Sequence, residues 1–246
     1  MKTVVVVQAR VGSSRLPGKM ISGLGGHSIL EWVLLRARRA KEVSHTVLAL
    51  PKSSENDVLE GVARKIGIEV FRGSEDDVLG RLTLAVADYN PEAVVRICGD
   101  RPLVDPDILD DTVRLFHKRV SEDIPLDIAY SHKSGSGEDW PFGFGVEVLS
   151  FARLSWLNET VSNCFEREHV TLHIWNNRSG FYIEPLECPM VYSYLGASYK
   201  LDLDTVEDLQ RLRRLVLSEK DIELPGYVFI LREMMQSLRT HRLANN

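Results

Sequence analysis

Apolar and polar positions along this chain fall into alternating stretches of strand and helix character. Residues 4–7 are all valine, a β-branched run too short to cross a bilayer and poorly suited to opening a helix, and they predict a buried central strand of a parallel sheet. Ser28 with Glu31 spells a capping box, after which Ile29, Leu30, Val33, Leu34 and Ala37 recur at helical spacing as far as Ala40. HTVLAL from His45 predicts a second strand, SSENDVLEGVARKIG a second capped helix with a closing glycine, and IEVF from Ile68 a short third strand. Ser74 is expected to cap a helix entered through Glu75, Asp76 and Asp77, acidic residues that suit the positive end of a helix dipole. Residues 93–97 form a further strand, and Asp105, Pro106 and Asp107 open a helix running to His117. Strands alternating with helices argue an α/β fold with a doubly wound, mostly parallel sheet.

The pattern loosens in the second half. LDIAYS is a strand, and KSGSGEDWPFGFG (residues 133–145) interrupts it with glycines, serines and a proline, as either a plain surface connection or a loop that closes over a site. Asn163 and Glu166 form another capping box, followed by His169 and His173 one turn apart. No HExxH accompanies them and no third ligand is evident, so zinc is not argued. FYIEPLECP and YSYLGASYKLDLD read as strands and connections of a small β-rich excursion. Thr205 caps a helix carrying Leu209, Leu212 and Leu215, and residues 225–240 form a last helix with Val228, Leu231, Met235 and Leu238 on its apolar face. There is no internal repeat, and 246 residues are expected to make one domain, residues 1–246.

A net charge of −5 and a pI near 5.8 lack the electrostatic footprint of a general nucleic-acid binder. The three cysteines, Cys98, Cys164 and Cys188, are odd in number and in no metal or redox pattern, which suits a reducing compartment. With no stretch long enough to span a bilayer and no signal-peptide pattern, a cytoplasmic protein is expected.

The candidate chemistry lies in the loop after the first strand. Gly12, Ser13, Ser14 and Gly18 let backbone amides approach an anion, and Arg10, Arg15 and Lys19 bring three cations to the same place, as a polyphosphate requires. The spacing is neither that of a P-loop nor GxGxxG. Asp100, just beyond a parallel strand, emerges at the same sheet edge. A carboxylate beside phosphates is unfavourable unless a hard cation sits between them, which points to Mg²⁺.

QARVGSSRLPGK (residues 8–19) resembles the signature loop of the cytidylyltransferase family, which includes the CMP-sugar-acid synthetases and a branch concerned with spore coat polysaccharide. RGSEDDVLGR, GDRPLVDP, REHVT and KLDLDTVEDL resemble further family elements, so the likeness runs over essentially the whole chain. It implies a nucleotide-diphospho-sugar transferase fold, GT-A or Rossmann-like, and transfer of CMP from CTP to a sugar acid or sugar phosphate with release of pyrophosphate. On this resemblance Ala9, Arg10, Gly12, Ser13, Ser14, Arg15 and Lys19 surround the triphosphate, with Arg10, Lys19 and Asp100 catalytic. Arg72, Ser74, Asp77 and Arg81 then lie near the base and ribose, although capping explains the acidic residues equally well. Glu147, Arg167 and His169 fall at the acceptor, and Asp100 and Asp204 hold Mg²⁺. Residues 140–200 would form the acceptor-binding excursion and contribute a homodimer interface.

Two positions depart from the pattern: Arg101 stands where many relatives have a smaller residue, and Gly145 where many have aspartate. Two other classes remain open. Asp202-Leu203-Asp204 spells the DxD of a GT-A glycosyltransferase, which would consume a nucleotide-sugar and make no pyrophosphate. A non-catalytic nucleotide-binding protein would keep the loop but should have lost a metal aspartate, and both are present.

Overall fold

The structure is a computed structural model and describes residues 1–13, 15–132, 140–193 and 199–244. Its first strand, β1 (Thr3–Gln8), is buried on both faces because successive side chains point to opposite sides of a sheet. Val5 and Val7 enter one apolar cluster, Val4 and Val6 another. Both clusters need helices to cover them, and the chain supplies helices on each side.

Through the first half strand and helix alternate as the sequence predicts, with β4 (His45–Pro51), β5 (Glu69–Gly73) and β6 (Ala93–Cys98) joining β1 in parallel. Before β4 comes a two-stranded antiparallel hairpin, β2 (Gly23–Leu24) and β3 (His27–Ser28), which forms a separate small sheet. The second half adds β7 (Ile128–Tyr130), β8 (Glu147–Ser150) and β9 (Ile183–Pro185). The seven-stranded order is β5-β4-β1-β6-β8-β7-β9, in which β8 alone runs against its neighbours. The strand expected near residue 183 therefore extends the main sheet.

On the Val5 face pack α1 (Ile29–Ala37), α2 (Asp57–Lys65) and α4 (Pro106–Ser121). On the Val4 face pack α3 (Val78–Ala87), α5 (Phe151–Thr160), α6 (Cys164–Glu168) and α7 (Leu172–Asn176). A third cluster, including Trp32, Trp140, Phe144, Leu212 and Phe229, joins α1 and the β2–β3 hairpin to α8 (Met190–Ser193), α9 (Val206–Leu215) and α10 (Gly226–Ala244). Arg36, fully buried, ties this C-terminal part to the sheet layer by donating to the carbonyls of Val104 (2.7 Å), Ile222 (3.0 Å) and Leu224 (2.8 Å).

Caps follow the sequence in part. Ser28 and Glu31 close the box on α1, and Thr205 with Asp208 does so on α9. Asp77, not Ser74, caps α3, because its carboxylate accepts from the Gly80 N–H while the Ser74 hydroxyl accepts from the Asp77 N–H. Asn163 caps α6 alone, since the Glu166 carboxylate turns instead to His173 and Asn176. The Gly/Ser-rich stretch over residues 133–139 lies outside the described residues, as does Ser14 of the phosphate loop. Among the described residues no helix is long and apolar enough to cross a membrane.

Candidate active site

The loop leaving β1 is fixed at both ends. The Val11 N–H donates to Oδ1 of Asn56 at 2.9 Å, and Asn56 is completely buried, so the start of the loop is pinned to the segment before α2. Farther on, the Leu16 N–H donates to Ser13 Oγ, and Gly18 turns the chain at φ 71°, in the left-handed region that favours glycine. A single helical turn, Lys19–Ile21, follows and aims the Lys19 side chain inward.

Lys19 Nζ is the hub. It donates to Asp100 Oδ2 at 3.1 Å, to the Leu203 carbonyl at 2.7 Å and to Asp204 Oδ1 at 3.4 Å. Asp100 comes into reach because Gly99 lets the end of β6 press against the loop: a Cβ there would stand 2.9 Å from the Gln8 carbonyl oxygen and 3.0 Å from Ala9 Cβ. The Leu203 N–H donates to the Asp100 carbonyl at 2.8 Å, which brings the segment before α9 to the same edge.

Asp204 has three cations about it. Besides Lys19, Arg15 approaches at 2.8 Å and Lys200 at 2.6 Å. Burial pushes its carboxyl up, but the Lys200 hydrogen bond and the charges of Lys19, Lys200 and Arg15 hold it below the usual aspartate range. Asp202 goes the other way: burial raises it, the Lys200 charge offsets only part of that, and the nearby charges of Asp100 and Asp204 add to the rise. Its Oδ1 is buried without a hydrogen bond, with Lys200 Nζ 3.6 Å away.

A cavity of about 350 Å³ opens over this edge. Ala9, Arg10, Gly12, Ser13, Arg15 and Lys19 line it from the loop, and Val78 and Arg81 from α3. Its floor is Gln8 of β1 with Arg96, Cys98, Gly99 and Asp100, and Glu168 and His169 close the far side. Arg10 reaches across to Glu168 at 3.5 Å. Arg81 is buried and donates to the carbonyls of Ser74 and Glu75, while its Nε is buried with no partner. Burial, and then the Arg10 charge, lower its pKa.

Other residues singled out by sequence stand behind this wall. Arg72 does not line the cavity; it donates to the carbonyls of Pro51, Lys52 and Ser53 and pairs with Asp57 and Glu60, fastening β5 to α2. Asp77 and Arg167 pair with each other at 3.0 and 2.7 Å, and Arg167 also donates to the Asn158 and Val161 carbonyls. Glu147 is buried beneath the floor, paired with Arg96 at 2.8 Å. Sequence reasoning passed over Gln8, Arg96, Cys98 and Glu168. Arg96 carried a legible signal, a charged residue inside the otherwise apolar run AVVRIC.

Two carboxylates that share one ammonium at a sheet edge form a hard-oxygen donor set. Among the described residues no group of three or more His, Cys, Asp or Glu is placed to hold a metal without help. Asp100 and Asp204 therefore fit a small dication that takes its remaining ligands from phosphates and water, as Mg²⁺ does.

A loop of small residues and cations after the central strand, a cation-lined cavity and two carboxylates at the carboxyl edge of an α/β sheet are parts that a nucleotidyltransferase needs. The chain belongs to the cytidylyltransferase family, whose profile matches residues 4–222. It is similar to the spore coat polysaccharide biosynthesis protein SpsF of Bacillus subtilis (strain 168), at 30% identity over 85% of this chain and 84% of that protein. Similarity to the 3-deoxy-manno-octulosonate cytidylyltransferase of Bdellovibrio bacteriovorus is 25% identity, over 89% of this chain and 99% of the relative. Among solved structures, a cytidylyltransferase from Leptospira borgpetersenii serovar Hardjo-bovis matches with a TM-score of 0.84 at 29% identity, covering 97% of this chain and 96% of the other.

Proposed function

We propose that the protein transfers CMP from CTP to an anionic sugar, a sugar acid or sugar phosphate, releasing pyrophosphate, as a step in surface polysaccharide synthesis. The observation that carries this reading is Lys19 Nζ, which joins the phosphate loop to both Asp100 and Asp204. A lysine so placed meets the β- and γ-phosphates of a nucleotide whose α-phosphate faces the two aspartates. The similarity to cytidylyltransferases selects CTP as the nucleotide.

An acceptor oxygen attacks the α-phosphorus in line, the bond to the β-phosphate bridging oxygen breaks, and pyrophosphate departs. Such a displacement needs alignment and charge neutralisation and no protein nucleophile. Arg10, Lys19 and the amides of Gly12 and Ser13 stand where the leaving charge grows. Arg15 is two-thirds exposed and able to swing from Asp204 to a phosphate, whereas Lys19 is buried and fixed. Asp100 and Asp204 would hold Mg²⁺, which supplies neutralisation of the phosphate oxygens when bound. Arg81 and Val78 form the wall nearest the nucleoside. A homodimer, implied by the likeness to the related synthetases, and a cytoplasmic location, expected from the cysteine pattern and the lack of a spanning stretch, complete the reading.

The test is pyrophosphate release with Mg²⁺, one nucleoside triphosphate at a time, against a panel of sugar acids and sugar phosphates. Release with CTP and one acceptor supports the proposal. No release together with no rise in melting temperature on adding CTP overturns it.

A further inference from the structure

The two aspartates that fit a dication are not equally open to one. A carboxylate has about four lone-pair positions on its two oxygens. At Asp204 the Arg15 fork takes two of them, with NH2 2.8 Å from Oδ1 and NH1 donating to Oδ2 at 3.0 Å. Lys200 Nζ donates to Oδ2 at 2.6 Å and Lys19 Nζ to Oδ1 at 3.4 Å, so both oxygens are fully engaged by cations. The Asp100 carboxylate accepts from Lys19 at Oδ2, and its side chain is 30% exposed. Asp100, Arg15 and Lys19 line the cavity, whereas Asp204 is buried behind the two cations.

Arg15 and Lys200 are held in different ways. Arg15 stands on the phosphate loop with most of its side chain in solvent, within the cavity wall. Lys200 belongs to the segment before α9, and its backbone is fixed on two sides. Its carbonyl accepts from Arg211 NH1 of α9 at 2.6 Å. The residues flanking it bond to Phe142, Tyr199 through its carbonyl at 2.9 Å and Leu201 through its N–H at 3.0 Å. The Lys200 ammonium also stands 3.6 Å from Asp202 and 4.0 Å from Asp208, which makes it the counter-ion of three carboxylates. Phosphates in the cavity can therefore draw Arg15 away from Asp204, whereas Lys200 stays among its carboxylates.

We propose that Arg15 and Lys200 close Asp204 to a divalent cation, and that a nucleoside triphosphate opens it by drawing Arg15 onto its phosphates while Lys200 remains as a standing brake on metal affinity. This rests on the nucleotidyltransferase reading and adds a control to the same site. The Arg15 fork and a dication compete for the same lone pairs, and the charges of Arg15 and Lys200 repel a second cation. Both aspartates are thus free for one metal only after Arg15 has changed partners. Nucleotide and metal then favour each other's binding, a coupling that is reciprocal and about ten- to a hundredfold in affinity.

The test reads Mn²⁺ binding directly, as loss of the free-ion signal in electron paramagnetic resonance, on the full chain without nucleotide. It compares wild type with Arg15→Met, Lys200→Met, Lys200→Arg and the double variant Lys200→Met/Asp204→Asn. Arg15→Met and Lys200→Met are each expected to bind Mn²⁺ about tenfold more tightly than wild type. Lys200→Arg should stay as weak as wild type, and the double variant should lose the gain, which assigns it to Asp204. In EDTA, the rise in melting temperature on adding CTP should shrink in Arg15→Met and persist in Lys200→Met, because only Arg15 changes partners. Unchanged Mn²⁺ affinity in Arg15→Met or Lys200→Met, a gain that survives Asp204→Asn, or equal CTP responses from Arg15→Met and Lys200→Met would each overturn the proposal. No CTP-induced rise in wild type would instead remove the nucleotide reading itself, and with it the opening step.

Discussion

Lys19 and Asp100, 81 residues apart in the chain, meet in an ion pair of 3.1 Å in which the lysine side chain is only 10% exposed. The same ammonium holds the Leu203 carbonyl, so one side chain sets both the phosphate loop and the segment that carries Asp204. Removing one preorganised contact to developing charge costs about 3 kcal/mol of barrier, roughly a hundredfold in rate. Lys19→Ala and Asp100→Ala are each expected to lose at least that much in steady-state pyrophosphate release. Turnover close to wild type in either variant would show that the pair does not serve the reaction.

Arg72 and Arg81 belong to one sequence element but to different parts of the structure. Arg72 spends its donors on the carbonyls of Pro51, Lys52 and Ser53, whereas Arg81 lines the cavity. Arg72→Ala should lower the melting temperature and leave the CTP-induced rise intact. Arg81→Ala should reduce the rise itself. Equal loss of CTP response in both variants would contradict this division.

What was legible in the sequence follows from how local each signal is. The valine run, the loop after it and Asp100 beyond the end of β6 are read within a few residues, and the parallel β1–β6 pairing then brings Lys19 to Asp100. Asp204 follows a segment that forms no strand among the described residues and is brought to Lys19 through the Leu203 N–H bond to the Asp100 carbonyl. The choice of Asp204 over Asp202 within DxD came from the family pattern; in the structure Asp204 pairs with Lys19 and Arg15. Partners ninety residues apart, such as Asp77 with Arg167, leave no mark of pairing in either segment. A motif therefore placed Asp77 and Arg167 near the site without telling that each is occupied by the other. Arg96 was visible as an anomaly in an apolar strand, but its meaning depends on Glu147, 51 residues later on the neighbouring strand.

Glu147 predicts a signature in acid. Its carboxyl is held well below the ordinary 4.5 in the folded protein, so the unfolded chain takes up the proton first as pH falls. The stability that ionised Glu147 supplies is full above about pH 4.5 and fades as pH drops toward the folded-state value. Glu147→Gln leaves Arg96 buried without its counter-charge and should cost about 3–5 kcal/mol at neutral pH. Urea unfolding of the two proteins should show a constant gap from pH 6 to 8 that narrows below about pH 4.5. A gap independent of pH down to the acid limit would mean that the carboxylate contributes no ionic stabilisation.

The surroundings of Gly145 leave no room for a side chain. A Cβ at this position would lie 1.7 Å from the Ser131 carbonyl oxygen and 2.8 Å from His132 Cβ. The backbone there is held from both sides: the Ser131 N–H donates to the Val146 carbonyl at 3.1 Å, and Arg101 NH1 donates to the Gly145 carbonyl at 2.8 Å. This gives Arg101 a task as well, since its side chain clamps the segment that the missing Cβ lets approach. Backbone cannot yield as a side-chain tip does, so Gly145→Ala should destabilise by about 3 kcal/mol, the upper part of the overpacking range. Gly145→Asp should do at least as much, and the double change Gly145→Ala/Arg101→Ala should add little, because the clamp and the close approach act on the same turn. Thermal unfolding checks all three, and an unchanged midpoint for Gly145→Ala would refute the close approach. The CTP-induced rise should survive in Gly145→Ala, because the nucleotide loop is anchored elsewhere, through Asn56 and Lys19.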